Sequence, residues 1–367
     1  MRILFALPGL HRVDRGAEVA FIAAAGALAR GGDDVTLIGS GAARPGSPYR
    51  FVRAGCIRRE RFEAMPSLPG LRDDCAYEEL TFACGLLTRY RPADYDVTLT
   101  CGYPYMNWML RWRRQGGSMP RHVFVTQNGD WPAFARNSEY RFFGCDGLIC
   151  TNPDFFERNK DRWRCALIPN GVDTVRFRPG AANRAAFGLP AQGRVVLMVS
   201  ALIPAKRVNL GVAAVSRIPD CHLAVAGDGP MRRQIDESAA RLMPGRFTRL
   251  TVAPERMPDL YRSADVFLHL AKEEAFGNVF LEAMACGLPI VAHDTARLRW
   301  IVGDDEHLID AEDPAEIARQ IEIACGAAPA GARKSPDKAT RFAWPRIGSL
   351  YRDFLRKVVE APPLARP

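Results

Sequence analysis

The feature that most constrains this chain is a rhythm of short apolar runs separated by amphipathic stretches, set up at the N-terminus and set up again past Arg194. Ile3–Leu7, Val35–Gly39, Phe51–Ala54, Val97–Thr100, Val123–Thr126, Leu148–Cys150 and Ala166–Ile168 are each short and apolar, and each is expected to be a buried strand. Val195–Val199, Leu223–Ala226, Val266–Leu270 and Ile290–Ala292 repeat the pattern. Helical stretches fall between them. In Ala17–Arg30, Val19, Ile22, Ala23 and Leu28 keep one apolar face, and Gly31-Gly32 ends it. Arg207–Ser216, Met231–Leu242, Asn278–Cys286 and Pro314–Ala324 are read the same way. Strands alternating with helices predict βαβ units, parallel sheets and the α/β class.

The chain has 367 residues, enough for two domains of ordinary size. Turn formers crowd Pro169-Asn170-Gly171-Val172-Asp173 and Phe177-Arg178-Pro179-Gly180, so the linker is placed at 169–185. Residues 1–168 then form one Rossmann-like domain and 186–340 a second. Trp344–Val359, after the turn-rich stretch Gly326 to Lys338, is a closing amphipathic segment within 341–367. Two such doubly wound domains are expected to face each other across a cleft, with ligands beyond the carboxyl ends of the strands.

Composition narrows the partners. No apolar run approaches the roughly 20 residues that span a bilayer, and Met1–Gly9 reads as a first strand rather than a signal peptide. The ten cysteines include no CxxC pair, which points to reduced thiols in the cytoplasm. The net charge of +9 suits anionic partners. Arginines cluster at Arg50, Arg53, Arg58, Arg59 and Arg61, and again at Arg111, Arg113, Arg114 and Arg121 beside Trp108 and Trp112. A solvated face accounts for each cluster, and for the arginine–tryptophan stretch 108–121 contact with an acidic glycan or peripheral contact with an anionic membrane are the other readings. No nucleic-acid-binding motif is present, so nucleic acid is not expected as a partner.

The chemistry concentrates in Val266 to Pro289, which reads strand, loop, helix, stop. Gly277 stands where a helix would begin, and Gly287 and Pro289 fit its end. The free N–H groups and partial positive charge of a helix starting at Asn278 suit a phosphate, and Gly277 lets a diphosphate come close to the backbone. Glu282 lies about 6 Å into that helix and suits a ribose diol. Glu274, in the preceding loop, reaches the side where a sugar would sit. Taken alone, either glutamate also reads as a helix stabiliser worth about 0.3–1 kcal/mol.

Together the two resemble the glutamate–seven residues–glutamate motif of retaining glycosyltransferases with the GT-B fold, especially glycosyltransferase family four, the glycosyl transferases group 1. Here the motif runs from Glu274 to Glu282 within Glu273-Glu274-Ala275-Phe276-Gly277 and Leu281-Glu282-Ala283-Met284-Ala285-Cys286-Gly287-Leu288-Pro289. The resemblance implies that Glu282 holds the nucleotide ribose and that Glu274 lies at the donor sugar's hydroxyls and reacting carbon. It implies that loop amides at Phe276, Gly277, Asn278 and Val279 meet sugar and diphosphate. Ile168-Pro169-Asn170-Gly171-Val172-Asp173 is similar to the family's interdomain linker. Lys206, in Val199 to Arg207, matches its diphosphate-binding lysine, and Ala226-Gly227-Asp228-Gly229-Pro230 matches the next strand-end turn. Arg15-Gly16-Ala17-Glu18 resembles the glycine-rich loop by which Gly16 amides approach the phosphates from the opposite domain. Trp344–Val359 resembles the helix that returns to the first domain.

The chain departs from the family pattern at two places. The arginine common five residues before the lysine is replaced by Ala201, and Arg207 is the candidate substitute. The histidine common after the fifth strand of the first domain is replaced by Gln127, followed by Asn128, Gly129 and Asp130; Gln127, Asn128 and Asp130 become candidates for sugar or acceptor contact, or members of a plain turn. His11 and His122 are lone histidines, more often structural. Asp33-Asp34, Asp73-Asp74 and Asp304-Asp305 lack the strand context of a DxD motif, so no metal and no cofactor is expected beyond the nucleotide-sugar co-substrate. The implied activity is hexosyl transfer from a nucleotide-diphosphate sugar to a hydroxyl of a glycan, lipid-linked saccharide or small molecule, with retention, and with Glu274 and Lys206 at the reacting centre. A GT-B epimerase or hydrolase and a non-catalytic nucleotide-sugar binder remain alternatives. A dinucleotide oxidoreductase is disfavoured, because Pro8-Gly9-Leu10-His11-Arg12 replaces GxGxxG.

Overall fold

The computed structural model describes residues 1–112, 119–304, 306–326 and 335–362. The chain divides into two compact units: Met1–Gly171 with Trp344–Pro367, and Val172–Ala343. Among the described residues no helix is long and apolar enough to cross a membrane. Arg113, Arg114 and Asp305 lie outside the described residues, as do 327–334 of the turn-rich stretch.

The first unit is built on a parallel sheet of β1 (Arg2–Ala6), β2 (Asp34–Gly39), β3 (Arg50–Arg53), β4 (Val97–Thr100), β5 (Arg121–Val125), β6 (Gly147–Cys150) and β7 (Cys165–Leu167). Its order is β3-β2-β1-β4-β5-β6-β7. The apolar runs are explained by two-sided burial. Ile3 and Phe5 pack on one face with Phe21 and Leu28, while Leu4 and Ala6 pack on the other with Phe82 and Leu86. The closing helix Trp344–Glu360 belongs to this unit: Ile347, Tyr351, Leu355 and Val358 enter the same core as Phe5 and Phe21. Arg352 fastens it to Asp33 at 2.7 Å, and Asp33 also takes the N-terminal ammonium at 3.0 Å. Half of the Asp33-Asp34 pair is thus a structural clasp.

The second unit carries the parallel strands β8 (Arg194–Val199), β9 (Cys221–Ala226), β10 (Phe247–Leu250), β11 (Val266–His269), β12 (Ile290–His293) and β13 (His307–Ile309), ordered β10-β9-β8-β11-β12-β13. Val195, Leu197 and Phe267 face one core, and Val196, Met198, Val266 and Leu268 the other. β10 and β13 form the two edges, are half-buried throughout, and are not marked as apolar runs in the sequence.

Candidate functional site

In the second unit the winding reverses between β8 and β11: the chain passes outward to β9 and β10 on one side and to β12 and β13 on the other. A crevice beyond the carboxyl ends of the strands at such a switch point is where open α/β sheets take ligands. Two loops leave it. The loop after β8 ends in a tight turn, Pro204–Lys206, and Arg207, at φ +53°, then caps the helix Val208–Val215. The loop after β11 carries Glu274 and ends at Gly277, which at φ +83° caps the helix Asn278–Ala285.

These loops meet at Glu274. Lys206 Nζ donates to Glu274 Oε1, and His269 Nε2 lies 3.0 Å from the same oxygen. Arg297, from the helix Ala296–Val302, donates to the Glu274 backbone carbonyl. Burial pushes the Glu274 carboxyl up, but the His269 hydrogen bond and the charge of His269 and Lys206 outweigh it and hold the group at about 2. Glu274 is therefore an anion at neutral pH, with both side-chain contacts on one oxygen.

Glu282, one turn into the helix, takes the opposite course. Burial pushes it up to about 7, against the Tyr261 hydrogen bond and the attraction of Arg176. Tyr261 Oη donates to its Oε2 at 2.7 Å, and the Tyr261 ring is fixed in the core against Phe177 and Phe267. Between the glutamates, Gly277 admits no side chain: a Cβ there would lie 2.6 Å from the Phe280 ring. Phe276 is buried edge-on to Trp300 and Phe342, which leaves its backbone, not its ring, to meet a ligand. Asn278 and Val279 supply the first amides of the helix. At the neighbouring strand end, Gly227 sits so close that a Cβ would be 1.9 Å from the Ser200 carbonyl oxygen.

The remaining candidates are placed differently. Arg207 turns its guanidinium to the Ala311 carbonyl and to Glu312, each at 2.8 Å, and Glu312 also takes Lys272 at 2.6 Å. In the first unit Gly16 opens the long helix Gly16–Arg30 and is exposed. Gln127 and Asn170 are a buried amide pair, Nε2 to Oδ1 at 2.5 Å and Nδ2 to Oε1 at 3.0 Å. Asp130 is buried and bonded by Asn159 at 2.7 Å and Arg158 at 3.0 Å. Asn128 is exposed and 3.9 Å from the Cys101 sulfur. His11 is held by the Ala42 carbonyl and Tyr49 over Phe51, and His122 by Thr98 and Asn107. Burial lowers His122 to about 3, so both of its contacts suit a neutral structural imidazole. Asp73 caps the helix Asp74–Leu86 by accepting from the Ala76 amide at 2.9 Å. Among the described residues two groups bring metal-ligating atoms within 4.8 Å of one another, Asp73-Asp74-Cys75 and His293–Asp310–Glu312. Of the second, Glu312 is already neutralised by Arg207 and Lys272.

His269, Arg297 and Tyr261 complete the site and were not singled out from the sequence. His269 left one signal, a polar residue closing an otherwise apolar strand.

The architecture is shared widely. Sucrose-phosphate synthase from Thermosynechococcus elongatus superposes with a TM-score of 0.79 at 21% identity over 98% of this chain and 100% of that one. HepE from Anabaena, solved in complex with UDP and glucose, gives 0.69 at 18% over 97% and 100%. The fold is thus GT-B, two Rossmann-like units in one chain. Within that class, residues 181–327 match the family described as glycosyl transferases group 1. The D-inositol 3-phosphate glycosyltransferase of Mycolicibacterium smegmatis is 33% identical over 199 residues, 51% of this chain and 46% of that protein. The lipopolysaccharide core biosynthesis glycosyltransferase LpsE of Rhizobium meliloti is 28% identical over 201 residues, 54% and 58%. The chain spans about half the length of the curated relatives it matches.

Proposed function

We propose that the chain is a retaining glycosyltransferase that moves a sugar from a nucleotide-diphosphate sugar to a hydroxyl acceptor. The observation that carries this reading is the meeting of Lys206 and Glu274 at the β8/β11 switch point, beside a helix that begins at a glycine of positive φ. Such a site offers a cation and helix amides to a diphosphate and carboxylates to sugar hydroxyls. The group 1 match over 181–327 and a neighbour of the same fold holding UDP and glucose support it.

The anomeric carbon–oxygen bond to the diphosphate breaks and the acceptor oxygen forms the new bond on the same face, its proton passing to the departing diphosphate. Lys206 and the amides at Gly277, Asn278 and Val279 stabilise the charge that develops on the leaving group. Glu274, ionised, accepts from the donor sugar's hydroxyls and steadies positive charge on its ring. Glu282 accepts from the ribose diol. Because Lys206 and the helix start supply the positive charge, the reaction needs no metal ion, and activity is expected to survive chelation by EDTA. The acceptor is a glycan, a lipid-linked saccharide or a small molecule.

Thermal-shift screening with UDP, GDP, ADP and TDP identifies the nucleotide, and incubating the matching donor sugars with an acceptor panel reads turnover. NMR of the product's anomeric linkage tests retention. An inverted linkage would remove the stereochemical assignment. Nucleotide release without any glycoside would favour a hydrolase.

A further inference from the structure

His269 has no part in the reaction as written, yet it occupies a fixed place beside the reacting centre. It is the last residue of β11 and 3% exposed. Its ring stands edge-on to Phe280 at 4.9 Å and stacks with Phe267 at 6.2 Å. An imidazole packed in this way holds one orientation. Its Nε2 lies 3.0 Å from Glu274 Oε1, the oxygen that also receives Lys206 Nζ.

The two partners differ in kind. Lys206 is a point charge on a flexible stem at the end of a turn, free to follow a stronger anion. A diphosphate is that anion. Once Lys206 turns to it, Glu274 would lose a charged partner at the moment its geometry matters, and a partly buried carboxylate that loses a hydrogen bond is both less stable and less well placed. His269 cannot follow the diphosphate.

We propose that His269 is the positioning residue of Glu274: its Nε2–H retains Oε1 when donor binding draws Lys206 away, so that Oε2 is presented to the donor sugar. The inference rests on the glycosyl-transfer reading above. No bond or proton changes hands at His269; it donates one hydrogen bond throughout.

The test uses the whole chain and the donor identified by the screen. His269→Phe keeps a ring against Phe280 and removes Nε2–H, whereas His269→Gln returns an N–H donor. His269→Phe is expected to bind the nucleoside diphosphate within about twofold of the parent while kcat falls about tenfold or more, the scale of one hydrogen bond to a charged group. His269→Gln is expected to recover most of that loss. Parent-like kcat in His269→Phe, a His269→Gln protein as impaired as His269→Phe, or nucleoside diphosphate affinity falling by the same factor as turnover would each overturn the role.

A second measurement needs no turnover. Melting temperatures of His269→Phe, Glu274→Ala and the double variant are expected to couple, the double loss being smaller than the sum of the single losses; additive losses would show that the contact is absent. A parent that turns over no donor while the melting temperatures still couple brings down the glycosyl-transfer reading and the role, not the contact.

Discussion

Glu274 and Glu282 belong to one short segment and are driven in opposite directions by their neighbours, the first down to about 2 and the second up to about 7. Stability linked to Glu274 is present above the ordinary carboxylate range and is lost as pH falls toward about 2. For Glu282 the folded chain keeps a proton that the unfolded chain has released, so stability falls as pH rises from the ordinary carboxylate range to about 7 and is level beyond it. Glu282→Gln, whose amide oxygen still accepts from Tyr261, is therefore expected to melt higher than the parent at about pH 8 and to converge with it near about pH 4. On the proposed role of Glu282 at the ribose, the same variant is expected to bind nucleoside diphosphate about tenfold more weakly, through loss of a charged acceptor. Calorimetric melting and titration check both, and a lower melting temperature at about pH 8 would refute the assignment. Glu274 and Glu282 stood out as candidates in the sequence because they flank a glycine and a helix start within one stretch, whereas Lys206, 68 residues from Glu274, was reached only through the resemblance. Tyr261 and Arg297 were not, because what makes them partners is proximity across elements, 21 and 23 residues from their glutamates.

At the scale of elements, the helix Asn278–Ala285 is set by the residue that begins it. Gly277 combines φ +83° with a Phe280 ring where a Cβ would go. Gly277→Ala is expected to cost about 1–2 kcal/mol from the left-handed conformation alone, read as a lower urea midpoint, and to weaken diphosphate binding by displacing the first amides. Gly227→Ala is expected to be the more damaging, because its Cβ would meet the Ser200 carbonyl, which is backbone and cannot swing away. A Gly227→Ala protein with the parent midpoint would contradict the close approach of β8 and β9. Central strands were evident from composition, since both their faces are buried and nearly every residue is apolar. The edge strands β10 and β13 were not, because half-buried residues such as Thr248, Arg249 and His307 carry no apolar signal, and only pairing with β9 and β12 defines them.

At the scale of the molecule, the chain's last described helix completes the core of its first unit. Leu355 is fully buried there, and Leu355→Ala is expected to cost about 2–5 kcal/mol by leaving a cavity. Hydrogen exchange is the direct measurement: amides of β1, β5 and β6 should exchange faster in the variant, while those of β8 and β9 should not change. Equal acceleration in both sheets would contradict the division into units. What the sequence by itself determined was the class, two parallel sheets with helices between strands, and the local order of strand, loop, glycine and helix from Val266 to Ala285. Periodicity and short motifs are local properties, set by backbone geometry within a few residues. Tertiary structure alone decided that Gln127 spends its amide on Asn170, that Arg207 spends its charge on Glu312, and that Glu274 has His269 beside it. Those outcomes depend on which side chains the sheets bring within hydrogen-bonding distance, and a donor or acceptor engaged by a distant neighbour looks, in one dimension, the same as one that is free.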